Sequence, residues 1–137
     1  MHLIRLATTE DAEGMLAIYT PYVESTSITF ETTVPDLASF RERIRHYLEF
    51  CPWLVGEING QVAGYAYASR YRERVAYQWS VECSVYIHDQ FMRNGMAYAL
   101  YTSLFAILAR QGFRNVYAVI NLPNDRSVAL HEKLGFR

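Results

Sequence analysis

Cysteine is scarce in this chain. Cys51 and Cys83 are the only two in 137 residues and lie far apart, so neither a disulfide framework nor a metal-ligand spacing can be written, and no metal is expected. An excess of one charge is lacking too. Thirteen basic residues face fourteen acidic ones, giving a net charge of −1, which argues against nucleic acid or an anionic membrane as the main partner. No apolar run reaches the ~20 residues a bilayer requires, the longest lying inside 96–109. The start, Met1-His2-Leu3-Ile4-Arg5, carries no signal-peptide pattern, so a cytoplasmic location is the default expectation. Internal repeats, linkers and low-complexity segments are absent. So are Gly-x-Gly-x-x-Gly, Walker and Gly-x-Ser-x-Gly patterns, which sets aside dinucleotide, nucleoside triphosphate and serine-hydrolase readings.

What is present is an apolar share of 51%, enough for one packed core, and the length fits a single domain over 1–137. Leu3 to Leu6 reads as a strand. Thr8 or Thr9, followed by Glu10 and Asp11, supplies a helix cap with acidic residues in the first turn, and Ala12, Met15, Leu16, Tyr19 and Val23 share one helical face. Asp36 caps a second helix with a buried stripe of Leu37, Phe40, Ile44, Tyr47, Leu48 and Cys51, stopped by Pro52. Trp53 to Ile58 and Gln61 to Ser69 flank Asn59-Gly60, a strong two-residue hairpin signal. Asn115 to Ile120 is a further strand, and Asn124 to Leu134 a last helix closed by Gly135.

Between them lies the stretch that organises the rest. Trp79, Val81, Cys83, Val85 and Ile87 alternate with Ser80, Glu82, Ser84 and Tyr86, the period of a strand with two different faces. After Gly95 the apolar positions become Ala97, Leu100, Tyr101, Leu104, Phe105 and Leu108, a helical period ending near Gly112. The expected class is α/β: hairpins give antiparallel pairs, and the strand-helix-strand unit of 79–120 gives a parallel one. A helix start has unpaired N–H groups and partial positive charge, so the loop Arg93-Asn94-Gly95 feeding one can hold a pyrophosphate. Cys83 shares the apolar strand face with Val81 and Val85, which reads as burial rather than as a nucleophile.

The spacing Gly95-Met96-Ala97 resembles the acetyl-coenzyme A loop of the Gcn5-related N-acetyltransferase (GNAT) superfamily, with Met92 standing where that pattern has Gln or Arg. The segment Asn124-Asp125-Arg126-Ser127, then Val128 to Leu130, His131 and Leu134-Gly135-Phe136, is similar to the superfamily's last sequence block. More narrowly, Ile28 to Glu31, Tyr71-Arg72 with Tyr77, Val81 to His88 and Ala129 to Glu132 resemble the phosphinothricin acetyltransferase group, whose members acetylate phosphinothricin, methionine sulfoximine or methionine sulfone. The likeness implies a GNAT-like mixed, largely antiparallel sheet flanked by helices. The family's final strand pair has no counterpart before Arg137, so the expectation is either a fragment or a surface completed by another subunit.

The resemblance implies acetyl-CoA as cosubstrate, a small amine as substrate and a homodimer. Acetyl transfer needs a neutral amine, and an α-amino group with a pKa of ~8 must first lose a proton. Glu82, a carboxylate in mid-strand, is either that general base or a solvated or ion-paired residue on the polar face. His131 stands where the superfamily often has a tyrosine that protonates the departing thiolate, or it is simply a helix-surface histidine. Main-chain groups of Val85, Tyr86 and Ile87 would meet pantetheine, while Arg93, Asn94, Gly95, Met96, Ala97 and Tyr98 would hold the pyrophosphate, and Asn124 with Ser127 the pantetheine end. Arg72 and Arg74 suit an amino-acid carboxylate or phosphinate, and are otherwise a solvated charge run. Phe30 and Glu31 resemble pocket residues, Glu31 for the substrate ammonium, although Phe30 equally suits the core. Two other readings stay open: acetylation of a peptide N-terminus, and a non-catalytic acyl-CoA-binding module.

Overall fold

A computed structural model describes residues 2–25, 33–70, 80–91, 95–113 and 115–118. Within them five strands, β1 (His2–Leu6), β2 (Trp53–Ile58), β3 (Gln61–Arg70), β4 (Ser80–Ile87) and β5 (Asn115–Ala118), form one sheet in chain order. The first three neighbouring pairs are antiparallel, and β4 with β5 is parallel. Helices α1 (Ala12–Ser25) and α2 (Leu37–Leu48) lie on one face and α3 (Met96–Arg110) on the other. The expected mixed α/β architecture is thus the one found.

Local chemistry explains most boundaries. The turn between β2 and β3 holds Asn59 at φ 51° and Gly60 at φ 82°, the doubly left-handed turn whose twist matches flanking strands. Thr8 opens a short 3-10 turn, Thr9–Asp11, through a capping box in which Asp11 reaches back to the Thr8 N–H at 2.8 Å. The continuous α-helix begins only afterwards, at Ala12. Asp36 caps α2 by accepting from the Ser39 N–H at 2.7 Å.

Asp11 also takes a two-pronged contact from Arg5, at 2.7 and 2.9 Å, and Arg5 reaches Glu57 across β1 and β2. The Arg5 hydrogen bonds hold the Asp11 carboxyl below the ordinary range, against the opposing effect of burial. A depressed carboxyl contributes stability that is present above its unfolded value of ~3.9 and lost as pH falls through the folded value. Asp11→Asn keeps an oxygen for the Thr8 N–H but removes the charge paired with Arg5, and is therefore expected to cost about 1 kcal/mol at pH 7. Its deficit against the wild type should narrow in urea melts as pH drops below ~4; a constant gap would contradict the linkage.

Two cores result. The α3 side buries Leu54, Ala66, Val81, Cys83, Leu100, Tyr101 and Leu104 among others. The α1/α2 side is largely aromatic: Trp53 stacks on Tyr67 at 4.2 Å, Tyr65 tilts against Tyr86 at 5.5 Å, and Phe40 meets Trp53 edge-on. Two sequence expectations need correction. Cys51 is not part of the α2 stripe, because the helix ends at Leu48 and Cys51 packs in the α3-side core. The β4 face carrying Ser80, Glu82 and Ser84 is not polar throughout, since Tyr86 is buried in the aromatic core.

Candidate active site

The ladder phase of β4 determines what its main chain can do. The His88 N–H donates to the Ala63 carbonyl at 2.8 Å, and the β3–β4 register pairs Gly64 with Ile87 and Tyr65 with Tyr86. In an antiparallel pair the hydrogen-bonding residues alternate, so Glu82, Ser84 and Tyr86 turn their main chain to β3, while Val81, Cys83, Val85 and Ile87 turn theirs to the opposite edge. Val81 and Cys83 face β5 there, opposite Val116 and Ala118. Beyond Cys83 no described strand lies alongside, and the outward main-chain groups of Val85 and Ile87 are left to other partners. Of the three residues expected at this edge, Tyr86 is the exception: its main chain serves the sheet and its ring the aromatic core.

At the same end of the sheet, α3 starts. Gly95 has φ 85°, a left-handed conformation that side-chain-bearing residues adopt at a cost, and no side chain caps the helix. The Ala99 N–H donates to the Gly95 carbonyl at 3.0 Å, so the first intrahelical bond begins at Ala99 and the N–H groups of Met96, Ala97 and Tyr98 precede it. The Met96 side chain is buried and lies over Gly56, so only its main chain can serve a ligand, whereas Tyr98 is exposed. A helix start of this kind, with its partial positive charge, favours an anion. The edge of β4 and this helix start together fit an extended acyl thioester carrying a pyrophosphate.

Glu82 is half-buried on the α1/α2 face of β4, directly opposite Ser69 of β3 and Tyr117 of β5. Residues opposed in register on one face bring their side chains together. Ser84, next along that face, is hydrogen-bonded to the Tyr67 phenol, whose ionisation burial opposes. Ser69, Tyr67 and Tyr117 were not among the expected site residues, because strand register is not written in a single sequence. Phe30, Glu31, Arg72, Arg74, Met92, Arg93, Asn94, Asn124, Ser127 and His131 lie outside the described residues.

Cys83 lies behind Glu82, facing the α3 core. Burial pushes its thiol up to about 12, with the Glu82 charge adding to the shift and a hydrogen bond from Tyr101 opposing it. Neither Cys51 nor Cys83 forms a disulfide and both are buried. In the native chain at pH 7.5 we expect negligible reaction of either thiol with an aromatic disulfide reagent over minutes, and two equivalents released in denaturant. A fast-reacting native Cys83 would reopen the nucleophile reading. Among the described residues no cluster of three or more His, Cys, Asp or Glu could hold a metal, and no helix is long and apolar enough to cross a membrane.

Comparison with known proteins agrees with this geometry. Residues 4–137 match the family model described as an acetyltransferase (GNAT) domain. Phosphinothricin N-acetyltransferase of Streptomyces viridochromogenes is 41% identical over 133 residues, covering 97% of this chain and 73% of that protein. L-Methionine sulfoximine/L-methionine sulfone acetyltransferase of Pseudomonas paraeruginosa is 34% identical, with 97% and 78% covered. Among solved structures, a GNAT superfamily phosphinothricin acetyltransferase from Sinorhizobium meliloti, in complex with AcCoA, superposes with a TM-score of 0.96 at 34% identity, covering 99% of this chain and 75% of that one. With a family model matching nearly the whole length, and relatives of this similarity along it, the chain belongs to the GNAT family of acetyl-CoA-dependent N-acetyltransferases, within its phosphinothricin acetyltransferase-like group.

Proposed function

We propose that this chain acetylates the amino group of a small amino acid or analogue of the phosphinothricin, methionine sulfoximine or methionine sulfone type, with Glu82 as general base. The carrying observation is the placement of Glu82: a half-buried carboxylate on the strand whose outer edge, three residues on, has no described strand alongside it. Acetyl-CoA supplies the activated thioester. The Val85 and Ile87 main chain orients its pantetheine arm, and the N–H groups of Met96, Ala97 and Tyr98 meet its phosphates, with Arg93 and Asn94 from the preceding loop. Glu82 accepts the proton of the incoming ammonium, directly or through water, and so makes the nitrogen a nucleophile. His131 is assigned the return of a proton to the departing thiolate, and Asn124 with Ser127 the far end of pantetheine. Arg72 and Arg74 are assigned to the substrate's acid groups, Glu31 to its ammonium and Phe30 to the pocket wall. The reading includes a single catalytic domain, a cytoplasmic location and a homodimer.

Thiol release from acetyl-CoA, measured against phosphinothricin, methionine sulfoximine, methionine sulfone, a panel of free amino acids and a short peptide with a free N-terminus, tests this. Turnover on the analogues is expected. Turnover confined to the peptide would replace the substrate class, and cofactor binding without turnover on any amine would replace the enzyme by a binding module. Gly95→Val should raise the acetyl-CoA Kd at least tenfold in calorimetry, because a β-branched residue cannot hold φ 85° without moving the helix start. An unchanged Kd would place the phosphates elsewhere.

A further inference from the structure

We propose that Tyr22 is a positioning residue for the cofactor edge, its hydroxyl holding the Ile87 carbonyl so that the neighbouring main-chain groups point at the pantetheine arm. The proposal rests on the acetyl-CoA reading given above. Tyr22 belongs to α1, 65 residues away from Ile87 in sequence, and its hydroxyl donates to the Ile87 carbonyl oxygen at 2.7 Å in a buried environment. Its ring packs edge-on against Tyr86 of the same strand, centroids 5.2 Å apart. One side chain thus grips β4 twice, through the ring of one residue and the carbonyl of the next.

The ladder phase gives this contact its meaning. The Ile87 carbonyl belongs to the outward set of β4, past the point where β5 pairs. A buried carbonyl without a partner is costly, and here the partner comes from a helix rather than a strand. With its carbonyl already engaged, Ile87 has its N–H to offer a ligand, and no described strand pairs with either group of Val85. The outer edge therefore presents one donor at Ile87 and a donor-acceptor pair at Val85, which fixes which pantetheine amide can sit where. The Ile87 carbonyl shares its peptide plane with the His88 N–H, which Ala63 holds, and the Ile87 N–H belongs to the plane before it. Removing the hydroxyl therefore loosens the Ile87 dihedrals that join the two planes, and the direction of the Ile87 N–H is less closely held.

The test compares the wild type with Tyr22→Phe by calorimetry, using acetyl-CoA and, separately, adenosine 3′,5′-bisphosphate, which has phosphates but no pantetheine. We expect the acetyl-CoA Kd to rise roughly fivefold, the equivalent of one hydrogen bond, with the bisphosphate Kd unchanged. An unchanged acetyl-CoA Kd overturns the proposal. Equal weakening of both ligands also overturns it, because that is the signature of a purely structural tyrosine. A second measurement needs no substitution: in the wild type, acetyl-CoA should slow amide hydrogen exchange at Val85 and Ile87 and leave Tyr86 as it was. Absence of protection at Ile87 overturns the proposal as well. Failure of the acetyl-CoA reading looks different, since the wild type itself would then show no acetyl-CoA heat.

Discussion

Glu82→Gln is expected to lower kcat by about 10²- to 10⁴-fold while leaving the Kd for acetyl-CoA within a factor of two. The substitution keeps the shape and polarity of the side chain and removes only its capacity to take a proton. Glu82 turns its main chain to β3 and its side chain to the face opposite the α3 core, whereas the proposed cofactor contacts use the outward main chain of Val85 and Ile87. Chemistry and cofactor binding are thus separable on one strand. The pH profile carries a second signature. Without a base, the reaction depends on amine that is already neutral, so the variant's rate should climb about tenfold per pH unit until the amine's own pKa near ~8. The wild type should level off at lower pH. A variant with wild-type kcat and profile would return Glu82 to the role of a polar-face residue beside Ser69 and Tyr117.

The parts of the fold visible in the sequence are those fixed by local rules. Asn59-Gly60 could be read as a hairpin turn because only a few residue types tolerate two successive positive φ angles, and both are found positive. Asp36 could be read as a cap because its carboxylate meets a donor three residues on. The alternation of Val81, Cys83 and Ile87 identified a buried face because a strand repeats every second residue, and all three are buried against the α3 side. Whatever depended on long-range pairing was hidden. Cys51 falls in phase with the α2 stripe, yet the chain has left the helix at Leu48 and crossed to the other side of the sheet. Tyr86 alternates with polar residues, yet α1 brings Tyr19 and Tyr22 down upon it, with centroids 5.0 and 5.2 Å away.

The site divides along the same line. The helix start at Gly95 was legible because it is a local motif with a local cause, an uncapped turn in left-handed conformation. Glu82 is proposed for the site because a carboxylate in mid-strand conflicts with local propensity, and such conflicts concentrate at functional positions. The opposition of Ser69 and Tyr117 to Glu82 is a matter of register, and the Tyr22 contact spans two elements that the sequence does not show as neighbours. A tyrosine on an amphipathic helix reads as core, and where its hydroxyl goes is decided by the tertiary fold.

Gly64→Val should be the most damaging change in the sheet, costing about 2–3 kcal/mol and most of the acetyl-CoA affinity together. Gly64 sits in β3 opposite Ile87, and a Cβ placed there would lie 2.5 Å from Ile87 Cδ1 and 2.9 Å from the Tyr86 carbonyl oxygen. The first contact could be relieved by turning a side chain. The second is with backbone whose carbonyl faces β3, so relief requires β4 to move away from β3 at the point where its outer edge is read. Gly60 offers the control: its φ of 82° makes substitution costly, but a Cβ there has open space. Gly60→Ala should therefore lose about 1 kcal/mol of stability in urea melts with the acetyl-CoA Kd unaltered. If Gly64→Val lost stability alone, with affinity intact, the β4 edge would not be the surface that binds the cofactor. If both glycines weakened binding alike, affinity would be tracking global stability, and the placement of pantetheine along Val85 and Ile87 would lose its support.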